Sequence, residues 1–210
     1  MVKVGPSTLP IDINNLKEEI ANLEYSGADY IHLDIMDGEF VANETLGVEL
    51  LEVVNDSTDI LLCTHLMVEN PEKWIEEFSE TDIFTFHIEA VTPEIAESMI
   101  QELREREMKI GIAIKPDTSI EEIMPYIDEI DLVLVMLVEP GLGGQKMMPE
   151  CLEKVKTLRE LRPELDIEVD GGINLDNVEM VKAAGANMIV SGTAIVNSTD
   201  RAFTISQMKK

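Results

Sequence analysis

From Tyr30 to Met36 polar and apolar positions alternate. Ile31, Leu33 and Ile35 share one parity, His32, Asp34 and Met36 the other, and Asp37-Gly38 closes the run. Successive strand side chains point to opposite faces, so this spacing predicts a strand with one apolar face and one face bearing His, Asp and Met. Other short apolar runs predict strands near Val2 to Gly5, from about Ile60 to Met67, and over Ile83 to Ile88, Lys109 to Ile114, Leu132 to Met136, Asp166 to Asp170 and Asn187 to Ser191. Amphipathic segments fall between them. Leu16, Ile20 and Leu23 hold helical spacing near Asn14 to Ser26, and Gly27 ends that helix. Further helices are expected near Val48 to Asn55, opening at Pro71, from Pro93 to about Glu107, near Ile120 to Tyr126, over Pro149 to Arg162, near Asp176 to Ala184, and in a short tail.

Eight strands, each followed by a helix at a spacing of roughly 25 residues, imply a parallel sheet. Eight such units close most naturally as a (β/α)8 TIM barrel, here a compact α/β fold forming a single domain over residues 1–210. A doubly wound sheet would usually have fewer strands and a glycine-rich first turn, and Gly5-Pro6-Ser7 is no dinucleotide fingerprint.

Composition narrows the partners. With 16 basic and 42 acidic residues the formal net charge is −26, a surface that repels nucleic acid and anionic membranes, so neither is expected as a partner. No apolar run approaches the about 18 residues that span a bilayer, and no secretory signal precedes the first strand, so a cytoplasmic setting is expected. Cys63 and Cys151 form no CxxC pair and read as structural thiols. The acidic pairs Glu18-Glu19, Glu76-Glu77 and Glu121-Glu122 read as solvated helix surfaces. The charge also poses a question, because an anionic substrate entering such a protein needs local donors.

A barrel gathers its strand ends on one face, where a shared site can be sought. His32 and Asp34 come from the second strand, His65 from the third and Asp170 from the seventh: two imidazoles and two carboxylates. That donor set suits Zn, Fe(II), Co or Mn better than Mg, which prefers oxygen alone. Ordinary buried polarity would need no ion, and the residues by themselves leave both readings open. Glycine-bearing turns follow the sixth strand (Pro140-Gly141-Leu142-Gly143-Gly144-Gln145), the seventh (Gly171-Gly172) and the eighth (Ser191-Gly192-Thr193-Ala194). Barrels bind phosphate with main-chain N–H groups at the last two strand ends, which would answer the charge question without a basic side chain.

Together with Pro6-Ser7, His32-Leu33-Asp34-Ile35-Met36-Asp37-Gly38, His65-Leu66-Met67 and Glu168-Val169-Asp170-Gly171-Gly172, these motifs resemble the ribulose-phosphate 3-epimerase family, in the same order along essentially the whole chain. The resemblance implies interconversion of D-ribulose 5-phosphate and D-xylulose 5-phosphate in the pentose phosphate pathway. It implies one divalent ion on His32, Asp34, His65 and Asp170, zinc first with Fe(II), Mn and Co as alternatives, and Asp34 and Asp170 as the acid/base pair. Ser7, His65, Gly141, Leu142, Gly143, Gly144, Gly171, Gly172, Gly192 and Thr193 would contact the sugar phosphate, with Met36, Met67 and Met136 as an apolar wall. A homo-oligomer, with a dimer favoured, is expected. The chain departs from the family pattern at Cys63, where the family usually has Asp, and at Glu39, Ala42, Leu137 and Leu142. A carboxylate behind the metal would thus be missing. Three other activities stay open: epimerisation of a related ketose phosphate such as allulose 6-phosphate, a phosphosugar-binding barrel with weak or no turnover, and a Schiff-base lyase using Lys115. His87 and Glu89, on one parity of the fourth strand, read either as a pair behind the metal or as buried structural polarity.

Overall fold

The computed structural model describes residues 2–45 and 47–210. Its centre is a parallel sheet of eight strands: β1 (Lys3–Gly5), β2 (Tyr30–Met36), β3 (Leu61–Met67), β4 (Ile83–His87), β5 (Lys109–Ile114), β6 (Leu132–Met136), β7 (Asp166–Asp170) and β8 (Met188–Val190). Neighbours pair in sequence order from β2 to β8, and β8 pairs with β1. The ring closes between β1 and β2, where His32 N–H donates to Pro6 O and Thr8 N–H donates to His32 O, both at 3.0 Å. The sequence expectation of a TIM barrel is met.

Strand parity sorts the core into layers. Ile31, Leu33, Ile35, Leu66, Phe84, Phe86, Ile112, Val133, Val135, Ile167, Val169 and Ile189 face outward and pack under the helices. Tyr30, Cys63, Leu132, Leu134, Met136, Met188 and Val190 fill the barrel interior. Met36 and Met67 form a third cluster at the mouth with Val41, Leu9 and Phe40. Each fully buried Leu, Ile or Phe of the outer layer contributes roughly 1.5–3 kcal/mol. Register sets the polar residues level with one another: Asp34 pairs with His65, Met36 with Met67, and Met136 with Asp170.

Helices form where the apolar stripe and the caps agree. In α1 (Leu16–Tyr25) Leu16, Ile20 and Leu23 are buried, and α2 covers Val48–Asn55. Pro93 opens α3 (Pro93–Glu105) behind Thr92, whose Oγ1 accepts from Ile95 N–H. The remaining helices are α4 (Leu152–Leu161), α5 (Val178–Ala183), α6 (Thr193–Val196) and α7 (Arg201–Lys209). Two expected helices are corrected. The segment opened by Pro71 winds only one 3-10 turn, Pro71–Trp74, entered from Asn70 in the left-handed region at φ 53°. Residues 120–126 form two such turns, Ile120–Glu122 and Met124–Tyr126, because Pro125 cannot donate the N–H that a continuous helix would need. Burying Ile75 and Phe78 in one connection and Ile123 and Ile127 in the other covers the sheet with less chain.

Tyr30 occupies space that a side chain on Gly5 would need: a Cβ there would lie 2.1 Å from the ring. Gly5→Ala should therefore destabilise the barrel by at least the ~1–3 kcal/mol typical of overpacking, read as a lower urea midpoint at unchanged slope. An unchanged midpoint would show that the ring moves aside freely.

Candidate active site

The C-terminal ends of β2, β3 and β7 bring His32, Asp34, His65 and Asp170 together, with one ligand-capable atom from each lying within 4.8 Å of all the others. Both imidazoles are fully buried and Asp34 is nearly so, while Asp170 keeps part of its surface toward a cavity above. His65 Nδ1 stands 3.1 Å from Asp34 Oδ1. His32 Nε2 stands 3.5 Å from that same oxygen and 3.4 Å from His65 Nδ1. The second Asp34 oxygen, Oδ2, accepts the Ser7 hydroxyl at 2.6 Å. On its far side His32 Nδ1 meets Glu168 Oε1 at 3.2 Å, a carboxylate–imidazole contact of the kind that turns Nε2 toward a metal.

Protonation states follow from this crowding. Burial alone would lower His32, but the charges of Glu168 and Asp34 outweigh it and hold the imidazole well above its ordinary value. Burial would raise Asp34, yet the charge of His32 beside it and the hydrogen bond from that ring keep the carboxyl far below the usual range. Burial, seconded by the Asp34 charge, pushes Asp170 up to about 7. Burial keeps His65 below its ordinary value, and so neutral at pH 7. A proton thus occupies the centre of a group of electron-rich atoms. A divalent cation satisfies the same atoms with more charge, and two nitrogens with two carboxylates are a borderline-metal set. The four side chains could therefore hold a metal ion.

Above the cluster lies a cavity of about 370 Å³, within the size range of small-ligand sites. Its lining includes Ser7, Asp34, Met36, Met67, Met136, Gly141, Leu142, Gly143, Gly144, Asp170, Gly171, Gly172, Gly192 and Thr193. All the residues expected from sequence are there except His32 and His65, which sit beneath, out of reach of the cavity surface. Among the described residues, no Lys or Arg lines it. At one end the N–H groups of Gly192 and Thr193 donate to no protein acceptor among the described residues. Gly172 is held at φ 67°, and a Cβ there would lie 2.5 Å from Met147 N and 2.6 Å from Gln145 O.

Several features escaped the sequence. Asn43, Leu9, Glu139 and Ser191 line the cavity. Gln145 lies within the motif following the sixth strand, but nothing in that motif marks its contacts: its Nε2 donates to Glu139 O at 2.6 Å and Leu142 O at 2.9 Å, tying the glycine-rich loop to itself. Glu168 stands in the sequence only as part of the seventh-strand motif, and no periodicity marks the imidazole it faces. Lys115 lies away from the cavity, its Nζ 3.8 Å above the Phe40 ring.

Fold and site together define a TIM barrel with a metal-capable His/Asp cluster under a cavity whose charged lining is acidic. The model of the ribulose-phosphate 3 epimerase family matches residues 3–196, and the chain belongs to that family. It is 41% identical to the cytoplasmic isoform of ribulose-phosphate 3-epimerase from Oryza sativa subsp. japonica, covering 99% of this chain and 93% of that one. It is likewise 41% identical to ribulose-phosphate 3-epimerase from Bacillus subtilis, covering 100% and 99%. Among solved structures, KGPDC from Streptococcus mutans superposes at TM-score 0.73 with 16% identity, over 100% of this chain and 96% of that one. 3-Hexulose-6-phosphate synthase gives 0.71 with 15% identity, over 100% and 98%. These distant structures share the barrel.

Because metal and proton compete for the same nitrogen, zinc binding near pH 7 should expel the His32 proton, and affinity should rise with pH until that imidazole is already neutral. Calorimetry in buffers of different ionisation enthalpy would measure the release. Binding that liberates no proton would place the ion elsewhere.

Proposed function

We propose that this chain inverts C3 of a ketopentose phosphate, interconverting D-ribulose 5-phosphate and D-xylulose 5-phosphate, with Asp34 and Asp170 as the two acid/base groups and His32, Asp34, His65 and Asp170 as ligands of one divalent ion. The observation that carries this reading is that the two aspartates, from β2 and β7 with β1 and β8 between them, line the same cavity. The names of the relatives supply the substrate.

Inversion removes the C3 proton beside the C2 ketone and returns one to the opposite face, through an enediolate. One group must begin as a base and the other as an acid. The two aspartates are suited to this because their surroundings differ: in the ion-free cluster the Asp34 carboxyl is held far below the usual range while Asp170 is pushed up to about 7, so Asp170 is the more readily protonated of the pair. In the reverse direction the roles exchange. When bound, the ion supplies positive charge that stabilises negative charge developing on the substrate oxygens and lowers the proton affinity of both carboxyls; zinc is our first choice, then Fe(II), Mn or Co. The Ser7 hydroxyl, donating to Asp34 Oδ2, orients that carboxylate. Met36, Met67 and Met136 form an apolar wall that keeps water from the carbanionic intermediate. Main-chain N–H groups of Gly172, Gly192 and Thr193 receive the phosphate, so an acidic protein needs no basic side chain there. Gly141, Leu142, Gly143, Gly144 and Gly171 enclose the sugar, the first four within a lid; Leu142 is 67% exposed at its tip.

Imine chemistry at Lys115 has no geometric support, since that amine faces Phe40. A cytoplasmic setting belongs to the same proposal and is supported by the designation of the rice relative. No described helix is long and apolar enough to cross a membrane. The homo-oligomer, a dimer first, draws support from exposed Leu161, Leu175, Met180 and Phe203.

Asp34→Asn and Asp170→Asn should each reduce epimerisation of ribulose 5-phosphate by at least about 10²- to 10⁴-fold, the usual range for an acid/base group. Ion content measured in each variant separates lost chemistry from lost metal. In D2O the wild type should place deuterium at C3 of the product. Product without label at C3, or a variant turning over at the wild-type rate, would refute the two-aspartate mechanism; a wild type that binds the sugar phosphate without turnover would leave a binding protein.

A further inference from the structure

Behind His65 the buried polar contacts continue away from the cavity. His65 Nε2 lies 2.9 Å from His87 Nε2, and His87 Nδ1 lies 2.9 Å from Glu89 Oε2. Both imidazoles are fully buried. Two ring nitrogens at 2.9 Å can share only one proton, so one ring donates and the other accepts.

Which ring donates can be read from the far end. Glu89 Oε1 accepts the Lys115 N–H at 2.7 Å and also the Thr118 hydroxyl. A carboxylate receiving two donors on one oxygen serves as an acceptor on the other, so His87 carries its proton on Nδ1 and donates it to Oε2. A second proton on His87 would place an imidazolium in full burial, under the Phe40 ring at 4.9 Å and with Lys115 Nζ 3.8 Å above that ring. His87 Nε2 is therefore a lone pair, His65 must carry its proton on Nε2, and the remaining lone pair of His65 is on Nδ1. That atom faces Asp34 Oδ1 and His32 Nε2.

We propose that His87 and Glu89 are positioning residues of the metal centre: a two-link relay that fixes His65 in the tautomer whose Nδ1 can bind the ion. The inference rests on the metal reading of the cluster. The anchor of the relay is itself held in place by hydrogen bonds. Lys154 Nζ donates to the carbonyls of Lys115, Pro116 and Thr118 at 2.9, 2.6 and 2.6 Å, bracing the backbone that holds Glu89. The ion's affinity is thus set in part by the loop after β5, which contributes no ligand. On the other side His32 has its own carboxylate in Glu168, so each imidazole is oriented by a separate acidic residue.

The test uses the full-length protein and zinc, with affinity measured by competition against a chromophoric chelator. His87→Phe keeps a ring in the core but removes the acceptor, and zinc affinity should fall about 10- to 100-fold. His87→Gln can place its amide oxygen where Nε2 accepts, and should restore most of the loss. Thermal unfolding of the metal-free variants checks that both fold. Long-range ¹H–¹⁵N spectra of zinc-loaded wild type should show His65 protonated on Nε2 and bound through Nδ1, a readout that mere packing would not dictate. Undiminished zinc affinity in folded His87→Phe, equal losses in both variants, or a His65 protonated on Nδ1 would overturn the relay while leaving the metal centre standing. A wild type that takes up no zinc would overturn the metal reading and the relay with it.

Discussion

The site is organised around a repulsion. Two carboxylates and two imidazoles converge within 4.8 Å in a largely buried rim, where positive charge at their centre offsets the crowding of their electron-rich atoms. The barrel supplies the rigidity: β2 and β3 hold Asp34 level with His65, and β6 holds β7 at the height of Asp170. Nearly everything around the cluster can be understood as supporting that geometry. Glu168 turns one ring, His87 and Glu89 turn the other, and Ser7 occupies the carboxylate oxygen that faces neither.

Much of this was legible in the sequence because strand parity is a simple rule. Once β2 is read as alternating, His32 and Asp34 must share a face, and His65 and Asp170 follow from the same count in β3 and β7. The barrel followed from repetition of one unit. What stayed hidden depends on packing between elements. Pro71 opens a promising helix, yet the connection stops after one 3-10 turn because burying Ile75 and Phe78 already covers the sheet. Pro125 sits inside a helical pattern and divides it. The contact between Glu168 and His32 joins residues 136 positions apart, and no local period announces it.

The acidity of the chain and the anionic ligand proposed for it are compatible because they act on different scales. Net charge sets the long-range field, which salt screens within about 10 Å. Recognition in the proposed phosphate seat would instead be the work of peptide dipoles at contact distance, and these are independent of side-chain composition. The surface can thus accumulate Asp and Glu without altering the ligand seat, provided the turns around Gly172 and Gly192 keep their shape.

The absence of a side chain at Gly172 has a consequence beyond the ligand itself. Its backbone rests directly on Gln145 and Met147, at the root of the loop that Gln145 pins together. The seat proposed for the anion and the root of the loop proposed to cover the sugar are therefore in direct backbone contact. On the function proposed above, a ligand lacking its phosphate would leave unfilled the seat on which the root of that loop rests, and would lose more than one anchor.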